Sequence, residues 1–419
     1  MSNHQSALVP LETWTFSSPD LYITGKEVDI GLFAESLIYY DSVYVVPGNP
    51  HFFSLFLKWF SDQGMLEDFR LLVRDGVIKV YDYAFLTTAV EKEGIYSIWN
   101  IQDEKQEIEN VFEQRYLYNP EVEKILPKKS RNRIKFYSAF RENVIEVKAE
   151  SFEKAVEDAR NDLEDPERSS LIIQAFVDEL YSLKNIIDIP EIKASVTKNE
   201  SAGINIIDWN INFPTLSEIA KFDLKLNSGT PLTANAHSNR FIWSAANMGC
   251  DLYLPRPMSR LVGDKLYESV GKSQKLKDTI ENLQSEVEFP SLRQLVNRGI
   301  LSFTDILAIR RKSIKFRTWL QTEVERDRDA IIAYHNELAK ETGLSKFGRN
   351  SLRMFGIIGG GAVGGIIGGA VAGPVGGALG GVAGSALSFT TDVCSKIGEN
   401  WKPVVFGNWL EDRIKKIMK

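Results

Sequence analysis

The sequence predicts an α+β protein in which helices predominate and a small N-terminal sheet carries helical cover. Strand-like and helical patterns alternate near the N-terminus, and helical periodicity dominates between Pro257 and Glu341. Hydrophobic residues make up 43% of the chain and charged residues 25%, which is ordinary for a soluble protein. We therefore expect the residues before a glycine-rich segment near the C-terminus to form a globular body.

The first predicted unit is a sheet with helices packed on it. Val28–Tyr40 has the apolar spacing of a short amphipathic helix, and Ser42–Val46 that of a buried strand. His51–Phe60 and Met65–Arg74 again have helical spacing, and Val77–Phe85 alternates like a strand. Two strands separated by two helices predict a small sheet covered by helices.

The pattern changes near residue 188. Ser151–Leu163 and Ser169–Ile187 predict two helices, whereas Glu191–Phe213 alternates in two runs that predict a β-hairpin. We place a domain boundary there and predict four regions. These are an α/β sensor-like domain at 1–188, a mostly helical domain at 189–352 that starts with the hairpin, a hydrophobic glycine hairpin at 353–391 and an amphipathic basic tail at 392–419.

Two polar stretches lie in predicted helices. Thr230–Asn247 contains the densest polar cluster, and we expect it to lie on a helix surface or in a loop; the alternative is a catalytic or ligand-binding role. The cluster consists of Asn235, His237, Asn239 and Arg240. Ser302–Leu320 contains a basic run that we expect to face water, with a membrane-surface helix as the alternative. The run consists of Arg310, Arg311, Lys312, Lys315 and Arg317.

The segment 354–391 contains 38 consecutive uncharged residues, and 14 of the 29 positions from Gly356 to Gly384 are glycine. Most of these glycines recur every four residues, so on a helix they form a smooth stripe against which another helix can pack closely. One row comprises Gly356, Gly360, Gly364 and Gly368, and the other Gly361, Gly365, Gly369, Gly373, Gly377 and Gly381. The segment resembles the glycine zippers of pore-forming, channel and membrane-inserting proteins, and the resemblance covers about a tenth of the chain.

Pro374 divides this segment into 20 and 17 uncharged residues, each close to the roughly 20 that cross a bilayer. A helical hairpin is the expected form; one long helix, a single span and a buried soluble segment remain open. Fourteen glycines would cost roughly 14 kcal/mol in isolated helices, so helix partners must compensate. We therefore expect insertion to be conditional and the inserted protein to be a homo-oligomer.

The flanks of the glycine segment carry basic and aromatic residues suited to an anionic membrane surface. We call this set the membrane-surface collar. It comprises Arg349, Arg353, Trp401, Trp409, Lys415 and Lys416. The tail from Val404 to Lys419 predicts an amphipathic helix, which lies either on the membrane or docked on the protein body.

The sequence offers little support for catalysis, so we expect a non-enzymatic role without cofactor or metal. Its four histidines have no metal-binding spacing, and its two cysteines, Cys250 and Cys394, are far apart. The net charge of −6 argues against general nucleic-acid binding. Met1–Asp20 lacks the pattern of a secretory signal, so a cytoplasmic location is expected.

These observations predict a membrane-active effector. A cytosolic sensing body would carry a segment that inserts at the inner face of the membrane, oligomerises and permeabilises it. A toxin or defence role fits by architectural analogy. Membrane lipid is the expected partner, and a protein trigger or inhibitor is left open. The alternative is a membrane-anchored or scaffold protein whose body is an adaptor or an enzyme.

Overall fold

The computed structural model describes residues 6–12, 21, 25–83, 86–92, 95–100, 112–126, 131–147, 153–183, 186, 188–199, 204–220, 229–248, 250–254, 292–314, 317, 413 and 416–417. The strands are β1 (Ser6–Pro10), β2 (Ser42–Val46), β3 (Ile78–Tyr83), β4 (Leu86–Lys92), β5 (Ile95–Asn100), β6 (Val144–Val147), β7 (Ala194–Asn199), β8 (Ile204–Trp209) and β9 (Asp251–Leu252). The helices are α1 (Ile30–Tyr39), α2 (Pro50–Asp62), α3 (Leu66–Arg74), α4 (Pro120–Ile125), α5 (Arg131–Arg141), α6 (Glu153–Glu164), α7 (Pro166–Leu183), α8 (Phe213–Ala220), α9 (Gly229–Met248), α10 (Leu292–Asn297) and α11 (Phe303–Lys312). A short π-helix spans Glu113–Leu117.

A parallel sheet in the order β6-β3-β2-β1-β9 forms the centre of the N-terminal region. Successive residues of the central strands point to opposite faces, and pairs such as Leu8 and Val9 are both fully buried, so both faces of the sheet are covered. The small N-terminal sheet and the predominance of helix are confirmed. The strand order runs outward from β1 to β6, and the chain then returns to the other side of β1 with β9. The order therefore reverses between β1 and β9.

One face of the sheet packs on an aromatic core. The ring of Phe60 lies 4.3 Å from that of Phe69 and 4.7 Å from that of Phe303, while Phe33 and Phe56 meet edge to face at 4.8 Å. These rings come from α1, α2, α3 and α11, so helices far apart in sequence share one core. Edge-to-face pairs add to the free energy of burial, which fixes how the helices sit on the sheet.

Local capping explains where several helices begin. Asp29 accepts a hydrogen bond from the backbone of Leu32, and Asn49 does the same for Phe52, ahead of Pro50. Ser302 begins α11 with a capping box in which its hydroxyl and the Asp305 carboxylate each bond the other residue's backbone N–H. These caps satisfy N–H groups that lack partners inside the helix.

The second sheet is antiparallel, in the order β4-β5-β8-β7. Its β7 and β8 form the predicted hairpin, with Ala194 opposite Trp209 and Asn199 opposite Ile204. A separate small core under α7 includes Phe176, Leu180 and Leu216. The hairpin prediction is confirmed, and its strands join β5 to make a larger sheet.

The parallel sheet and its core draw on residues from both sides of position 188. Strand β9 pairs with β1, and α10 and α11 both pack on α1. The predicted region 353–391 lies outside the described residues, so its hairpin form stays a prediction. The four domain bounds also stay predictions. Within the part of the chain that the structure describes, no helix is both long and apolar enough to cross a membrane.

Candidate functional site

Most residues predicted for membrane contact lie outside the described part of the chain. This holds for all ten predicted glycines and for Arg349, Arg353, Trp401, Trp409 and Lys415. Lys416 is described, and its side chain is exposed. The neighbouring tail residues Arg413 and Ile417 are also described, and they show where the tail meets the body.

The tail contacts the N-terminal end of α11. Arg413 Nη2 donates to Asp305 Oδ1 at 2.9 Å, and Ile417 packs against the main apolar core. The other Asp305 oxygen accepts from the backbone and hydroxyl of Ser302. Burial opposes ionisation of Asp305, but the bonds from Ser302 and Arg413 outweigh it and lower the pKa of the carboxyl. These contacts agree with the docked alternative for the tail.

The basic run of α11 is divided between solvent and a buried contact. Arg311 and Lys312 are exposed, as expected, whereas Arg317 is buried and Arg310 is half-buried. Arg310 donates to the carbonyl oxygens of Leu37, Tyr40 and Asp41, the last two at 2.7 Å. The expectation of a water-facing run, and the membrane-surface alternative, are therefore wrong for Arg310 and Arg317.

Arg310 and Arg317 bind the C-terminal end of α1. The last carbonyls of a helix have no partner within it and carry partial negative charge. Arg317 donates to the Ile38 carbonyl at 3.3 Å and to the Asp41 carboxylate at 3.2 Å. Burial, together with the nearby Arg317, lowers the pKa of Arg310 to about 10, so its guanidinium is still charged at neutral pH.

Described residues before and after the glycine segment contact the same helix, α11. Arg317 donates to the Arg310 carbonyl and to Ser313 Oγ just beyond α11, and Arg413 binds Asp305 in its first turn. The two attachment points, Ser313 and Asp305, are separated by about 12 Å along the helix, given a rise of ~1.5 Å per residue. Arg317 and Arg413, the described residues on either side of the interval 318–412 that contains the glycine segment, thus both contact this helical region.

The carboxyl edge of the parallel sheet holds a second group of polar residues. Glu12 follows β1 and Gly48 follows β2, and a side-chain carbon added at Gly48 would lie 2.6 Å from Glu12 Oε2. Burial raises the pKa of Glu12 to about 8, although the charge of Arg240 opposes this. On the same edge, the Tyr81 hydroxyl donates to Ser244 Oγ at 2.8 Å. Ligands of open parallel sheets bind at such an edge, where the strand order reverses.

The polar cluster of α9 is buried, so its predicted place on a helix surface or in a loop is wrong. Asn235 donates to the Ala159 carbonyl at 2.9 Å and Asn239 to Asp162 Oδ2 at 2.7 Å, which ties α9 to α6. Burial, and then the charge of Arg240, lower the pKa of His237 well below its usual value. The cluster was visible in the sequence, but its burial depends on α6, some 75 residues earlier.

No family model, curated protein or solved structure matches the chain. Among the described residues, no group of histidine, cysteine and acidic side chains has the arrangement of a metal site.

Proposed function

We propose that this protein is a membrane-active effector whose folded body controls a glycine segment that inserts into a membrane, oligomerises and permeabilises it. It would act from the cytoplasm at the inner membrane face, in a toxin or defence role. The observation that carries this proposal is the uncharged run of 38 residues with its two rows of glycine. Such rows permit helices to pack at backbone distance inside a bilayer.

The composition of the run supports conditional insertion. Glycine adds almost no apolar area, so the segment gains less from a bilayer than a leucine-rich span of equal length. Its helices also need partners to offset the helix-breaking tendency of glycine. Both properties favour a segment that inserts after assembly over one that inserts on its own.

The contacts of the body also support this proposal. The basic residues Arg310 and Arg317 and the amides of Asn235 and Asn239 join helices to one another. From the sequence, these residues were alternative candidates for ligand binding or membrane contact. In the structure, their contacts stabilise the fold. The tail beyond the glycine segment is attached to the same body through Arg413.

Release of a trapped dye from anionic vesicles tests this function directly. The parent protein should release dye, and Gly364→Leu or Gly369→Leu should suppress release by about tenfold or more, because leucine keeps the partner helix away. Ala370→Leu introduces the same leucine side chain off the two glycine rows and serves as the matched control. Equal release by all four proteins would contradict the zipper arrangement.

A membrane-anchored protein with a ligand-binding body is the second candidate. The observation that favours it is the reversal of strand order between β1 and β9, with Glu12 near Arg240 at that edge. The vesicle experiment separates the candidates. Binding to vesicles without dye release supports an anchor, and neither binding nor release supports a scaffold.

A further inference from the structure

We propose that the docked tail is a latch, which keeps the glycine segment from the membrane until an anionic lipid surface displaces Asp305 from Arg413. This inference rests on the proposed function and adds how that function is regulated. The residues that carry it are Arg413 and Ile417 in the tail and Asp305 on α11. They lie beyond the glycine segment on one side and before it on the other.

The first step in the argument is mutual exclusion. Arg413 Nη2 lies 2.9 Å from the Asp305 carboxylate, and a lipid phosphate would need the same guanidinium. Ile417 packs on the apolar core, so it too must leave the body before the tail can lie on a bilayer. The docked tail and the membrane-bound tail are therefore alternative states of the same residues.

The second step is the strength of the contact. The Arg413 side chain is 38% exposed and that of Asp305 is 18% exposed. An ion pair at such a site shifts an equilibrium by no more than about fivefold, and the partly buried Ile417 adds to it. A contact this weak can be opened by a surface that offers many phosphates at once.

The third step is the geometry of attachment. The chain is fixed near Ser313 by Arg317 and near Asp305 by Arg413, at the two ends of α11. Opening the Arg413 contact frees one end of the intervening residues and leaves the other end on the body. The latch thus controls the tail without unfolding the core, which Arg317 and Ile38 help to hold.

The test uses the full chain with Arg413→Ala and Ile417→Ala, and with Lys58→Ala as the matched control. Asp305 is left unchanged because it also caps α11. Lys58 is exposed on α2 and lies outside the membrane-surface collar, so Lys58→Ala removes one positive charge, as Arg413→Ala does, without touching the tail. Hydrogen exchange of the C-terminal peptide is measured first in the absence of vesicles, and dye release from anionic vesicles second.

We expect exchange of the tail and the rate of dye release to rise about threefold or more in Arg413→Ala and Ile417→Ala relative to Lys58→Ala. In the parent, anionic vesicles should accelerate tail exchange, and zwitterionic vesicles should not. Faster exchange with release at the control's rate would overturn the latch and leave the proposed function standing. If the parent and every variant fail to release dye, the proposed function fails and the latch fails with it.

Discussion

At the scale of single residues, Arg310 differs clearly between the solvent-facing role that its basic sequence context predicts and the buried role that it has in the structure. It sits in a run of basic residues, yet its guanidinium binds three carbonyl oxygens at the end of α1. The planar fork of arginine suits several acceptors at once, and a lysine ammonium would not reproduce that geometry. The side chain therefore joins α11 to α1.

Replacing Arg310 with alanine should lower the free energy of unfolding by about 2–3 kcal/mol, because the carbonyls of Leu37, Tyr40 and Asp41 lose a charged donor. Arg311→Ala is the matched control, since Arg311 is exposed in the same helical turn. Its effect should stay below about 0.5 kcal/mol. Urea denaturation of both variants measures the difference, and equal losses would contradict the capping role of Arg310.

His51 predicts a pH dependence of stability. Its Nδ1 lies 2.8 Å from Glu121 Oε2 and its Nε2 lies 2.9 Å from Glu27 Oε2, so the imidazolium donates to two carboxylates. The bonds from Glu27 and then Glu121 raise the pKa of His51 above 6.5. The resulting stabilisation is complete below pH 6.5 and is lost as the pH rises through that raised pKa.

His51→Gln should therefore destabilise the protein at pH 6 and change its stability little at pH 9. Thermal unfolding at both values measures this, and the difference between parent and variant isolates His51 from other titrating groups. A destabilisation that is the same at both pH values would show that the imidazolium contributes nothing. The NMR titration of the ring protons gives the pKa directly.

At the scale of elements, α1 is the helix around which the N-terminal core assembles. Its first turn meets α10, where Arg293 Nε lies 2.6 Å from Asp29 Oδ2 and Gly31 N donates to Asn297 Oδ1 at 2.8 Å. Its last turn meets Arg310 of α11. Helices α10 and α11 thus both contact α1.

Gly31 sets how closely α10 approaches α1. A side-chain carbon at this position would lie 2.1 Å from the carbonyl oxygen of Arg293, which is backbone and cannot rotate away. Alanine favours a helix by about 1 kcal/mol over glycine, but we expect Gly31→Ala to destabilise the protein by a net 1–3 kcal/mol. Urea denaturation measures whether Gly31→Ala lowers or raises the free energy of unfolding. A gain in stability would show that α10 does not need the close approach.

The helices and strands could largely be predicted because their signals are local. The apolar periods of α1 and α2, the Asp165-Pro166 break before α7 and the alternation around residues 199–203 all lie within short windows. The pairing of β9 with β1 and the burial of Arg310 depend on residues more than 240 positions away. The sequence next to a basic side chain does not indicate which helix end that side chain binds.

At the scale of the whole molecule, the body is joined through contacts between its two sequence ends. Strand β9 and helices α10 and α11 complete a core begun by β1 and α1. The tail contact at Asp305 adds a third return of the chain to this region. Residues on both sides of the glycine segment therefore contact α11 while the tail is docked, which places both flanks on one side before the segment enters a membrane.

A hairpin and a single span place the ends of the glycine segment differently. Before insertion the tail is docked on α11 at Asp305, so both flanks start on one side of the membrane, and a segment that inserts as a hairpin leaves them there. Basic flanks at both ends also favour the side of synthesis. A single span must carry Arg413 and Lys416 across the bilayer, at a cost of several kcal/mol.

We therefore expect both flanks to stay on the side of addition. Cysteines introduced at Ser345 and Ser395, in a Cys250→Ser and Cys394→Ser background, report this when vesicle-bound protein is treated with a membrane-impermeant thiol reagent. Equal labelling of the two positions from outside is the expected result, and detergent should add little to either. If only one position reacts before detergent is added, the segment crosses once, and the step at Gly373 and Pro374 is a kink within one long helix instead of a hairpin tip.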